Sequence, residues 1–206
     1  MFAVVESGSI TSMPNGNKGI TIGDNQYPAS IYTLWSESER NAIGIYTIEI
    51  DETNKKDNEW YINTNITYAY DSSANKVKGT YGTATAKAQA DTTYTNTDKS
   101  NGDIPTGKDV GDVKDEGLKT ILIRQVKQEA EKILNETDWY VTRKSEKSTA
   151  IPSAITTHRD AVRTKQAEME TAITNAADTP ALETLYTYTV TDGVQSRPLG
   201  DLPRLT

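Results

Sequence analysis

At 206 residues, with a hydrophobic share of 35%, the chain is long enough for one medium domain or two small ones around a thin core. A net charge of −7 repels phosphate and argues against general nucleic-acid binding, basic residues clustering only locally, as at Arg143-Lys144. The absence of cysteine excludes disulfides, zinc–thiolate sites and thiol catalysis together.

Residues 1–90 read as a β-rich interaction domain. The opening "MFAVVESGSI" carries Glu6 where a secretory signal needs a basic start and a long apolar run, so no signal is expected. No apolar run approaches the ~18 residues of a membrane span. "FAVVE" and "GSITSM" make two strands around Ser7-Gly8, and Asn15-Gly16 predicts a hairpin turn, both residues tolerating positive φ. Ser36 and Glu39 form a capping box that opens a short helix, which Gly44 ends. In "IGIYTIEID" Tyr46, Ile48 and Ile50 fall on one strand face. After the polar turn "NKKDNE", the stretch around Trp60 to Tyr81 predicts a meander, alternating Tyr61/Asn63, Ile66/Tyr68/Tyr70 and Val77/Gly79/Tyr81. The chain has thirty threonines and eleven tyrosines against one phenylalanine, which suits strands with one wet or partner-covered face.

Residues 91–116 lack apolar periodicity and are rich in Asp, Gly, Thr and Asn, so a linker or long polar loop is expected. Residues 117–206 change to helix. Apolar side chains at 118, 121, 122, 126, 130, 133 and 134 give a stripe at helical period that stops near Asn135. Thr137-Asp138 then turns the chain. Trp139 is expected to fold back as a buried anchor between two helices, Asp138 accepting from backbone amides or from Arg159 or Arg163. On that reading Trp139→Ala loosens the helical hairpin by roughly 3–5 kcal/mol. A second helix opens at Pro152, with Ile155, Val162, Met169 and Ala176 as a seven-residue seam. Asp178 caps a further short helical turn, and the tail returns to a strand and a proline-broken end. The fold class is α+β, a β-rich N-terminal domain followed by a C-terminal helical hairpin.

No catalytic, cofactor-binding or metal-binding set emerges. His158 has no partner at recognisable spacing and reads as a surface or inter-helix histidine. "DKSNGD" at 98–103 lacks the bidentate glutamate of a calcium loop, position 109 being Asp109. Neither a nucleophile elbow nor a phosphate-cradling Gly-rich loop is present. Asn65-Ile66-Thr67 and Asn135-Glu136-Thr137 match the glycosylation triplet as chance occurrences in a Thr-rich chain. Trp35, Trp60 and Trp139 are the residues suited to stack on sugars, with core or interface anchoring as the favoured reading.

"TDW" after an amphipathic helix, a spacer, and then "IPSAITTHRDAVR" resembles the C-terminal region of tailed-bacteriophage tail assembly and tail-fibre-assembly proteins. The matching positions are Thr137, Asp138, Trp139, Pro152, Arg159 and Arg163. "QYPASIYTLWSESERNAIGIYTI" is similar to a module of phage tail-region proteins, at Tyr27, Pro28, Trp35, Ile43 and Gly44. These segments cover about a third of the chain, and residues 53–116 depart from the pattern. The resemblance implies a non-enzymatic virion tail component of fibre, baseplate or adaptor type, working by protein–protein contact. It would bind other tail or fibre proteins, form homo-oligomers, and pass through the host cytoplasm during assembly. A tail-fibre assembly chaperone is the alternative, and a carbohydrate-binding receptor module a lesser one. Nucleic acid, membrane and cofactors play no part in this reading.

Overall fold

Phe2–Val5 is an apolar run without polar alternation, the mark of a strand covered on both faces. The computed structural model describes residues 1–205 and divides the chain into two compact units, Met1–Thr85 and Ala86–Thr206. In the first, β1 (Phe2–Glu6) turns through Ser7-Gly8 into β2 (Ser9–Ser12), and β3 (Ile20–Ile22) forms a hairpin with β4 (Asn25–Tyr27). Two short helices, α1 (Ile31–Leu34) and α2 (Glu37–Ala42), lead into β5 (Ile45–Asp51). β6 (Tyr61–Ile62), β7 (Ile66–Asp71) and β8 (Lys76–Tyr81) follow, with β9 (Thr85–Ala86) at the unit boundary.

Five strands form one sheet in the order β2-β1-β5-β8-β7. Its pairs are antiparallel except β5–β8, which run parallel with Ile48 opposite Val77. The outer strands β2 and β7 approach each other, so the sheet curls. Alternation along β1 splits the core in two. Ala3 and Val5 join Ile48 and Val77 on one face, with Tyr46, Ile50, Tyr68 and Tyr70 around them. Val4 joins Ile31, Tyr32 and Ile45 on the other, covered by α1 and the β3–β4 hairpin. The expected capping box is present: the Ser36 hydroxyl accepts from the Glu39 amide at 3.3 Å, and the Glu39 carboxylate accepts from the Ser36 amide at 2.8 Å. Gly44 ends this segment at φ +84°.

The turn expected at Asn15-Gly16 is not a hairpin turn. The hairpin closes at Gly23-Asp24, and the Phe2 ring lies over Gly16, where an added Cβ would come within 3.2 Å of it. Gly16 therefore serves a close approach between chain segments rather than strand reversal. Gly79 has a similar role inside the sheet. A Cβ there would lie 2.7 Å from Ile50 Cδ1, 2.8 Å from Tyr68 Cε1 and 2.9 Å from Ile66 Cγ2.

The second unit is predominantly helical. Its segment 91–116, expected as a linker or loop, holds β10 (Thr92–Thr93), α3 (Asn96–Asn101) and β11 (Val113–Asp115). β10 pairs with β11, and Thr95 with Asp98 makes a second capping box on α3. Then come α4 (Leu118–Asn135), α5 (Asp138–Lys147), α6 (Ser153–Asn175) and α7 (Thr179–Tyr186). β12 (Thr189–Thr191) and β13 (Val194–Ser196) close the order as a hairpin. Residues before β10 satisfy the start of α4. The Leu118 amide donates to the Ala88 carbonyl at 2.9 Å, Lys119 to Gln89 at 3.1 Å, and Gly117 to the Asp91 carboxylate at 2.7 Å. Gly117 is required there, because a Cβ would sit 2.4 Å from the Ala90 carbonyl carbon.

The expected stripe of α4 is buried at Leu118, Leu122, Val126, Ala130 and Ile133 and packs on α6. From the seam, Ile155, Val162 and Met169 are buried. Ala176 is the half-buried cap of α6, and Ile173, three residues earlier, is fully buried instead. The two helices run antiparallel: Lys119 at the start of α4 donates to the Thr174 carbonyl near the end of α6 at 2.8 Å. The tail folds back, burying Leu199 and Leu202, with the Leu199 amide donating to the Leu185 carbonyl at 3.0 Å.

Two outcomes follow. Gly79→Val forces a branched side chain among Ile50, Tyr68 and Ile66, and we expect a loss of about 1–3 kcal/mol in urea unfolding; an unchanged midpoint would show that the interior has slack there. The Lys114 ammonium, 2.5 Å away, together with the Thr95 hydroxyl and amide, holds the Asp98 carboxyl well below the usual range. A depressed acid stabilises above its unfolded value of 3.8, and that contribution is lost as pH falls through the folded value. Protection from hydrogen exchange across 92–115, relative to the intrinsic rate at each pH, should therefore be lost only in strongly acid solution. Asp98→Asn should raise exchange at neutral pH and remove the acid dependence.

Candidate interaction surface

Where α4 ends, its last carbonyls lose their intrahelical donors and need cationic or hydrogen-bonding partners. Arg159, in the second turn of α6, supplies one. It is 8% exposed, and its Nη1 donates to the Leu134 carbonyl at 2.8 Å and the Thr137 hydroxyl at 2.7 Å, with the Asp138 carboxylate at 2.8 Å. Thr137 is buried and itself donates to the Leu134 carbonyl at 3.0 Å. Asp138 is the first residue of α5, where a negative charge also suits the helix dipole. One guanidinium thus ties the end of α4 and the start of α5 to α6. Of the two arginines expected as partners of Asp138, Arg159 fills the role. Arg163 is exposed and pairs with Asp160 at 3.3 Å.

Trp139 is not the buried anchor expected from the sequence. It is 52% exposed. The reason is helical geometry: each residue advances ~100° around the axis, so Asp138 turned to Arg159 carries Trp139 away from α6. The corner is filled by Thr137 and Arg159 instead. On the surface, the Trp139 and Tyr140 rings lie 3.7 Å apart at 30°. Arg143 stands one turn on, 4.8 Å from the Trp139 ring centre and 5.1 Å from that of Tyr140. Val141 is exposed beside them, and Lys144 and Lys147 make the last turn of α5 basic. The result is an aromatic cluster with cations, presented on a helix whose start is fixed.

Sequence reasoning missed α5, Tyr140 and Arg143. The signals were an acid at Asp138 and lysines at Lys144 and Lys147, matching the two ends of a helix dipole, with Trp139 and Arg143 at i, i+4.

The remaining expected residues belong to packing. The Tyr27 and Trp35 rings meet edge-on at 5.8 Å against the second core cluster of the first unit, and Trp60 is 4% exposed. Trp139 is therefore the one tryptophan with most of its ring open to solvent. Ile155, Val162 and Met169 line the helix pair, and His158 is buried with its Nε2 unpartnered.

An open concavity of about 380 Å³ is lined by the loop Met13–Ile20, with Lys18 its only ionisable side chain. Among the described residues no three His, Asp or Glu side chains converge as metal ligands, and no helix is long and apolar enough to cross a membrane. Compared with known proteins, the chain matches no family model, no curated protein and no solved structure.

Removing the clamp should destabilise the fold, and removing the ring should leave it nearly unchanged. Arg159→Ala strips a buried hydroxyl and a helix-end carbonyl of a charged donor, and we expect a loss of about 2–3 kcal/mol. Arg159→Lys recovers little, because an ammonium cannot reproduce the planar fork. Trp139→Ala should change stability by no more than about 0.5 kcal/mol, as for an exposed position. Thermal unfolding of the three variants checks this; a large Trp139→Ala effect would return the ring to the interior.

Proposed function

We propose that this chain is a virion tail component of a tailed bacteriophage, of fibre, baseplate or adaptor type, acting by protein–protein contact rather than catalysis. The observation that carries the reading is the Trp139–Tyr140–Arg143 cluster, Trp139 exposed and the other two half-buried around it, on a helix anchored by Arg159. Tryptophan, tyrosine and arginine are the side chains that dominate contact energy between proteins, offering large rigid area at small entropic cost. The resemblance of Thr137, Asp138, Trp139, Pro152, Arg159 and Arg163 to phage tail assembly proteins supports the same reading. It places the cluster in the segment that carries the resemblance.

The partner surface should be acidic. α5 carries Arg143, Lys144 and Lys147 against Glu146 and an Asp138 already paired with Arg159, so the helix is modestly positive within a chain of net charge −7. An acidic tail or fibre protein gains electrostatic steering from that arrangement, and a basic one does not.

Quantitative mass spectrometry of purified particles of the encoding phage tests the proposal. Peptides in a small multiple of the tail-ring copy number make the chain a structural subunit. Absence from particles with abundance in infected cells overturns that and makes it an assembly chaperone. In either case Trp139→Ala with Arg143→Ala should abolish co-purification with its tail partner.

A further inference from the structure

The β12–β13 hairpin is a second surface of a different kind. Both strands are exposed at every position, Val190 at 71% and Val194 at 65%. Asp192-Gly193 supplies the two-residue turn with φ +52° and +77°, so the ladder is set by turn chemistry. An isolated two-stranded hairpin is marginal in water, and natural edge strands are blunted by lysine, proline or bulges. β12 has none of these three, and its one guard is a length of three residues. Thr187–Thr191, from the end of α7 to the turn, carries no charge in a chain that is 25% charged.

The edge is also self-complementary. Thr191 pairs with Val194 beside the turn and Thr189 with Ser196, leaving Val190 opposite Gln195 between them. In a hairpin with a two-residue loop the pair flanking the loop exchanges its backbone hydrogen bonds, so Val190 turns its amide and carbonyl to the free edge. Thr189-Val190-Thr191 reads the same in both directions. An antiparallel twofold about Val190 sets Val190 against itself and each threonine against the other, with no like charges opposed.

We infer that this edge is where two copies of the chain join, their hairpins forming a four-stranded antiparallel sheet centred on Val190. The tail holds the hairpin in place. Arg197 lies 5.2 Å from the Tyr186 ring centre and 5.1 Å from that of Tyr188, and its guanidinium pairs with Asp201 at 2.9 Å. Tyr188 donates its hydroxyl to Asp201 at 2.9 Å. The inference does not depend on the virion reading and can fail while that reading stands.

The test is sedimentation of the full chain over a concentration series, with Val190→Lys, Val190→Glu and an equimolar mixture of the two. The native chain should reach a dimer, and each variant alone should shift the dimer midpoint upward at least about tenfold, the equivalent of ~1.4 kcal/mol. Mixing should restore the dimer, because lysine then faces glutamate across the twofold, and restoration also shows that the variants are folded. A native chain that stays monomeric overturns the inference. So does a dimer that persists in both variants, or a mixture that associates no better than its parts.

Discussion

The guanidinium of Arg159 resolves a problem that every helical hairpin with a thin core faces. Antiparallel helices bury their sides against each other, but their ends carry carbonyls that the fold itself leaves without donors. Here each helix receives a cation from its partner. Arg159 of α6 serves the Leu134 carbonyl of α4, and Lys119 of α4 serves the Thr174 carbonyl of α6. Because the two contacts lie at opposite ends of the pair, they set its register as well as its stability. Arg159 does more than Lys119, since the same nitrogen also reaches Thr137 and Asp138 and so fixes where α5 begins.

In the first unit the constraint is different in kind. A hydrophobic share of 35% cannot fill one wide core, and the sheet divides it into two small clusters on either side of β1 and β5. Tyrosine makes this workable at the margins. Tyr46 and Tyr70 meet at a tilt of 53° with ring centres 4.7 Å apart, packed against a buried Val77. Gly79 gives the space for Ile50, Tyr68 and Ile66 to converge on the curled face. The absence of a side chain at one position is what lets three others pack.

The α+β division, the α4 stripe and most of the α6 seam were legible because they rest on period alone: apolar residues recurring at helical spacing must share a face. The capping box at Ser36/Glu39 and the stop at Gly44 were legible because they rest on local hydrogen bonding. What was not legible depended on competition between sites. Asn15-Gly16 has better turn chemistry than Gly23-Asp24, yet the Phe2 ring claims the space over Gly16 and strand reversal falls to the other pair. The position of Trp139 depends on the backbone at Thr137-Asp138, where the expected fold-back gives way to the start of α5. Once Asp138 opens a helix towards Arg159, the next residue points elsewhere whatever its size. The segment 138–147 has no apolar stripe of its own, so only its end charges announced a helix.

The two surfaces of the second unit rest on unlike forces, which bears on how an assembly would use them. The α5 cluster combines aromatic area with cations, so its strength with an acidic partner is set partly by salt and partly by the shape of that partner. The hairpin edge offers backbone donors and acceptors in a fixed register with no charged side chains, so what it joins is decided by strand sequence and twist. Repulsion between two chains of charge −7 disfavours broad contact between copies, and an uncharged edge is where that repulsion is least. If both proposals hold, a single chain separates two tasks, presenting cations to an acidic protein and backbone to its own kind, without one contact competing for the residues of the other.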